Sequence, residues 1–357
     1  MPPWFADPKC GHFSNERSLT ESEIYTLWSW TAEGAPKGDL KDMPAPDVVL
    51  QLPKPFPVPE SGMVGCQYVI VPPGFTERHL GASGRGPAHR ACRGSPHHCF
   101  VREPGSNYFK DQKPEVFFEA PPAKTDEKTD TSALPSDFLV GYAPGQPAEM
   151  LQPGQGKLIK PGSDIVFEVH YTPNGKAVMD QTKLGLVLAR ETPKDRVQTL
   201  SASNGTFKIP PGDPDYRVDA SFEVARQVVL SALHPHMHTR GKDFEYRLVF
   251  PNGETRTILQ VPAYNGHWQL WYNLQEPNRS TQGDKDRVLR RILTTPQKNT
   301  ENPDPTKAVI WGQQNWDEMM VGFFNFVYDA NLSPKDLLLN KKEDDHGEKA
   351  TSPVASK

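Results

Sequence analysis

The chain has 357 residues, enough for two or three domains, each with its own core. Its 40 basic and 44 acidic residues leave a net charge of −4, which excludes the basic footprint of a nucleic-acid binder. No apolar run approaches the roughly 20 residues of a membrane span, and 37 prolines and 27 glycines among short alternating segments point to a turn-rich all-β protein.

Residues 1–40 hold the one predicted helix. Thr20 is a good N-cap, Glu23 completes a capping box, and Leu19 and Ile24 are spaced for a hydrophobic staple. Ile24, Leu27, Trp28 and Thr31 share a face, and Gly34 and Pro36 end the helix. One helix cannot bury that stripe by itself and needs a partner surface. Met1-Pro2-Pro3-Trp4 is not a basic region followed by an apolar one, so no signal peptide is expected. Residues 41–59 are Pro-rich and read as an extended linker. The four cysteines (Cys10, Cys66, Cys92, Cys99) form no CxxC pair and give little guide to redox compartment.

Residues 60–195 read as a first β domain, with strands expected at 67–71, 116–119, 164–171 and 183–190. In the third, Ile165, Phe167 and Val169 alternate with Val166, Glu168 and His170, and Asn174-Gly175 supplies a turn. His170 therefore ends a strand beside a turn. That position suits a metal ligand, and equally a histidine with ordinary hydrogen-bond partners.

Residues 196–332 read as a second β domain. After Val228-Val229-Leu230-Ser231-Ala232-Leu233 come His234, His236 and His238, spaced by two. In an extended strand all three imidazoles face one side, with Pro235 and Met237 on the other. Each neutral imidazole offers one lone pair to a transition metal. The alternative is a strand end whose histidines only hydrogen-bond. Phe244, Tyr246, Leu248 and Phe250 alternate along the next strand, which is expected to pair with the histidine strand. Pro251-Asn252-Gly253-Glu254 then turns into a strand at 255–261. Residues 333–357 are charged, lack aromatics and read as a solvated, disordered tail.

His236-Met237-His238-Thr239-Arg240-Gly241 has the form HxHxxG. With Asp317-Glu318-Met319 later in the chain and the His170-Tyr171 strand end before it, the sequence resembles the copper type II, ascorbate-dependent monooxygenases. These include the peptidylglycine α-hydroxylating and dopamine β-monooxygenases. It is more similar to bacterial relatives in which a cytochrome c domain precedes the copper domains. In that resemblance residues 1–40 match the end of the cytochrome, with Met1 at the position of the haem's axial methionine. The CxxCH attachment motif is absent, so haem c is implied only in a longer gene product.

The resemblance implies two tandem jelly-roll-type β-sandwich domains, with copper sites facing a shared cleft. It also implies a periplasmic or secreted location, dioxygen and a small organic substrate, and ascorbate or a cytochrome c as electron donor. His236, His238 and Met319 match the ligands of the catalytic copper. Two imidazoles bind either oxidation state, and a soft thioether favours Cu(I); without the HxH pair, Met319 would be read as core. A second, electron-transfer copper in this family uses an adjacent histidine pair and a later histidine. His170 matches the later one, and His97-His98 offer the pair.

The chain departs from the family at several points. Residues 79–99 lack a strand period where the family has a Val-Val-His-His strand. A one-base shift in one allowed codon choice for 92–99 gives Ala-Val-Val-His-His-Ile-Ile, which would make His97 and His98 accidental. Residues 284–296 admit a similar slip. The peptide-amidating branch holds a substrate carboxylate with an arginine and a tyrosine where this chain has His234 and Phe323. Neither grips a carboxylate bidentately as arginine does, so peptidylglycine is disfavoured. Two functions follow: a copper-dependent monooxygenase, or a non-catalytic copper-binding β-sandwich protein.

Overall fold

The computed structural model describes residues 4–17, 19–34, 45–76, 79–85, 97–119, 138–142, 148–222, 228–250, 252–266, 269–279, 290–293, 304–314 and 316–332. Met1, residues 86–96 and the tail at 333–357 lie outside the described residues.

The helix α1 (Glu21–Ala32) forms where the sequence predicts it. Thr20 Oγ1 accepts the Glu23 N–H, and the Glu23 carboxylate accepts the Thr20 N–H at 2.8 Å. None of its residues is buried; Tyr25 and Trp28 are 67% and 65% exposed. Its apolar stripe therefore has no cover among the described residues. The segment before it docks elsewhere. Trp4 and Phe13 pack edge-on against Tyr272, with ring centroids 4.9 and 5.4 Å away.

The rest is all-β. The first half supplies β1 (Val48–Gln51), β2 (Phe56–Val58), β3 (Gln67–Val71), β4 (His79–Arg85), β5 (His97–Arg102) and β6 (Phe118–Glu119). It continues with β7 (Phe138–Tyr142), β8 (Glu149–Met150), β9 (Gln155–Ile159), β10 (Asp164–Val169), β11 (Val178–Asp180) and β12 (Lys183–Leu188). The second half supplies β13 (Asp195–Ser203), β14 (Lys208–Ile209), β15 (Tyr216–Val218), β16 (Val229–Met237) and β17 (Gly241–Val249). It ends with β18 (Thr255–Val261), β19 (Tyr272–Arg279), β20 (Arg290–Leu293), β21 (Val309–Ile310) and β22 (Met320–Asp329).

A large sheet runs β1-β12-β4-β9-β13-β22-β16-β19, with β8 also on β4. Its two halves join at the parallel β9–β13 pair. A second sheet, β6-β3-β10-β5-β7, belongs to the first half, and a third, β15-β20-β17-β18, to the second. Each half has a core: Leu52, Val69, Phe167 and Leu184 in the first, and Leu233, Met237, Phe244 and Phe324 in the second. Between them lies a mixed cluster in which Tyr68, Phe100, Phe138 and Val166 meet Ala232, Trp271 and Phe323.

Two local expectations change. The stretch at 41–59 is not a free linker, because β1 pairs with β12 and β2 with β11. Leu50 and Val58 point inward there, and Pro57 is accommodated in the short β2–β11 ribbon. The histidine strand β16 does not pair with β17. It lies between β22 and β19, so both its edges are taken, and the turn at 238–240 carries the chain into the third sheet instead. That is a sandwich corner where a hairpin was expected.

Candidate metal centre

The β16 ladder decides which way the histidines face. His234 lies opposite Phe323, His236 opposite Val321, and Met237 opposite Met320. Side chains alternate, so Leu233, Met237, Met320 and Phe324 fill the second core while the three imidazoles share the other face. Met319 sits one residue beyond the ladder, next to His238 in sequence register. The carboxylate of Glu318 ties these two positions together: Oε1 accepts the N–H of His238 at 2.5 Å and of Met319 at 2.8 Å. Oε2 accepts the Arg240 N–H at 2.9 Å. Gly241, the last residue of HxHxxG, is required by close approach. A Cβ there would lie 2.7 Å from the Tyr264 ring and 2.8 Å from the Met237 methyl.

Each imidazole is held through Nδ1. His236 donates to Gln269 Oε1 at 2.5 Å, His238 to the Asp317 carbonyl at 3.2 Å, and His234 to the Leu270 carbonyl at 3.1 Å. Gln269 is itself fixed by donating Nε2–H to the Gly266 carbonyl. A histidine that donates from Nδ1 keeps its lone pair on Nε2, the arrangement metal-binding histidines use. The Nε2 atoms of His234 and His238 are buried without a hydrogen-bond partner among the described residues. Burial pushes the His236 imidazolium down to about 3, helped by the nearby His98, and lowers His234 and His238 for the same leading reason. All three are neutral at ordinary pH. The His236 and His238 rings are 5.4 Å apart and nearly perpendicular at 87°. Two imidazoles sharing one ion at the usual metal–nitrogen distance have centroids roughly 5 Å apart. Two lone pairs with fixed tautomers fit copper, and a methionine in adjoining register adds a soft donor.

The second sheet brings further histidines to this face. His98 of β5 is 5.7 Å from His236 and 6.3 Å from His170, and His170 is 6.5 Å from His238. Four imidazoles from two sheets thus close a ring, all of them buried. A Cβ on Gly141 would lie 3.1 Å from the His98 ring, so only glycine leaves it this space. His97 and His98 occupy successive positions of β5, opposite Val169 and Glu168, and so face opposite ways. His97 packs instead between Tyr142 and Tyr171. Of the expected pair, only His98 joins the cluster. Aromatic rings wall it: Trp271 stacks on His234 at 4.8 Å, and Phe323 lies 5.1 Å from Phe138.

His170 and Glu168 form a buried pair at 2.8 Å. Burial alone would raise the carboxyl, but hydrogen bonds and charge from His170 and His98 hold it well below the usual range. Burial alone would lower His170, but Cys66 and Glu168 raise it well above 6.5. Sequence reading assigned no role to Glu168, Glu318, Gln269 or Cys66. Glu168 and Glu318 carry a signal that periodicity does not weigh, a charged residue inside an apolar strand or beside a candidate ligand. A cleft of about 930 Å³ opens nearby, lined by polar groups such as Asn15, Glu149 and Asp195 and in similar measure by apolar ones such as Val197 and Val229; Trp271 is the residue it shares with the histidine wall.

Fold and site together define an all-β, β-sandwich-like protein with a buried histidine cluster between two sheets. The chain matches no known family profile and no curated protein. Among solved structures it is similar to the infectious bursal disease virus Gx strain structure, at 10% identity over 88% of this chain and 80% of that one, with a TM-score of 0.22. A VP2 subviral particle of infectious bursal disease virus matches at 11% identity over 88% and 79%, with a TM-score of 0.23.

Proposed function

We propose that the chain is a copper-dependent monooxygenase whose catalytic ion is held by His236, His238 and Met319. The observation that carries this reading is the perpendicular pair of neutral imidazoles on one strand face, each locked at Nδ1, with His238 Nε2 buried and unpartnered. Bound copper supplies reductive activation of dioxygen and insertion of one oxygen atom into a C–H bond. The protein's own residues do the rest. Gln269 and the Asp317 carbonyl fix the ring orientations, Glu318 holds the methionine position against the His238 turn, and Phe138, Trp271 and Phe323 keep water out. With His234 neutral and Phe323 apolar, the site recognises an uncharged organic substrate rather than a carboxylate. Electrons come from ascorbate or a cytochrome c. The two halves are read as tandem jelly rolls, residues 1–40 as the end of a cytochrome c domain, and the location as periplasmic or secreted.

One observation favours a second reading, a non-catalytic copper-binding protein: the histidine ring is closed and buried, which suits storage. Oxygen uptake with ascorbate by the copper-loaded chain separates the two. Uptake that Met319→Ile abolishes, with copper retained and the circular dichroism unchanged, supports the oxygenase. Copper binding without uptake supports storage, and no copper binding sinks both.

A further inference from the structure

Beside the β16 histidines, three other donor atoms converge. Cys66 precedes β3, Glu168 lies in β10, and His170 follows it; the β3–β10 ladder, in which Gln67 faces Val169, brings them together. All three are buried, Cys66 completely. Sγ of Cys66 is 3.7 Å from His170 Nε2 and 3.9 Å from Glu168 Oε1, and the last two are 2.8 Å apart. Cys66 is further fixed by its N–H, which donates to Gln314 Oε1 at 2.8 Å.

A cysteine–histidine–acid proton relay uses both ring nitrogens, one toward the thiol and the other toward the acid. Here a single nitrogen, Nε2, faces both groups. The three donors point at one another, as ligands around a common centre do.

We propose that Cys66, Glu168 and His170 form a sulfur–oxygen–nitrogen site for a divalent ion of the zinc class. In a tetrahedral zinc site the nitrogen and oxygen stand roughly 3.3 Å apart and each is roughly 3.6 Å from the sulfur. The observed triangle needs only a small opening between nitrogen and oxygen. As the ion enters, the thiol proton and the proton between Nε2 and Oε1 leave to solvent. Thiolate and carboxylate then balance the two positive charges, so no net charge is buried. His98, with Nδ1 3.9 Å from Glu168 Oε1, stands beside the fourth position. This donor set takes the place that the His97-His98 pair would fill, and it does not depend on the copper reading at His236 and His238.

The test uses the full chain, freed of metal and titrated with Co²⁺ and then Zn²⁺. A thiolate-to-cobalt charge-transfer band in the near ultraviolet, displaced by zinc, is expected in the wild type and in His236→Ala. Cys66→Ser loses the band, whereas Glu168→Gln keeps it and weakens cobalt binding at least ~10-fold. A wild type without the band, or a Cys66→Ser variant that retains it, overturns the proposal, whatever the copper site does. Should Cys66→Ser fail to fold, proton release on adding zinc to the metal-free wild type in weak buffer replaces it: release of about two protons per zinc supports the site, and zinc binding without proton release refutes it.

Discussion

Removing the Glu318 carboxylate is the sharpest perturbation of the histidine strand. Its two oxygens accept three buried N–H groups, from His238, Met319 and Arg240. Each orphaned donor costs about 1–3 kcal/mol, so Glu318→Ala should lose about 3–9 kcal/mol. Against a typical stability of about 5–15 kcal/mol, that leaves a marginal or unfolded chain. Glu318→Gln keeps an oxygen for His238 and Met319 and turns its amide toward the Arg240 N–H, a loss of about 1–3 kcal/mol. The two variants also differ from wild type in pH dependence. Burial pushes the carboxyl from 4.5 up to about 7, despite the three donors. Between those values the folded chain holds a proton that the unfolded chain has lost, so stability falls as pH rises through the window, by about 3 kcal/mol in all. Urea unfolding of metal-free protein at pH 5 and pH 8 checks both points. Wild type should lose stability relative to Glu318→Gln between the two, and Glu318→Ala should be the weakest at either. If Glu318→Ala unfolds within about 1 kcal/mol of wild type, or the wild-type and Gln curves run parallel, the clamp is not as described.

Three further outcomes are expected. Gln269→Ala frees the His236 ring and should weaken copper binding about 10–100-fold, measured by competition with a chelator, with stability changed far less. Phe138→Ala empties the cluster between the halves and should cost about 3–5 kcal/mol in denaturant unfolding; a smaller loss would mean that the halves do not support each other there. Resequencing the gene across 79–99 and 284–296 checks the reading frame: unambiguous in-frame reads keep His98 in the cluster, and a one-base slip would remove it.

Much of this molecule is local physics and therefore legible along the chain. The capping box at Thr20 and Glu23 starts α1 because both partners lie within one turn. The strands at 67–71 and 255–261 stand where their short runs rich in Val, Ile, Thr and Tyr put them. The common face of His234, His236 and His238 follows from the two-residue period of any extended strand. What the sequence did not carry is which strands meet. Pairing β16 with β22 and β19, rather than with β17, depends on burial of both its faces, a property of neighbours far along the chain. The approach of His98 and His170 to His236 and His238, and the Glu318 clamp, likewise arise only when separate sheets pack. Periodicity says which way a side chain faces, while only the packed sheets decide what it faces.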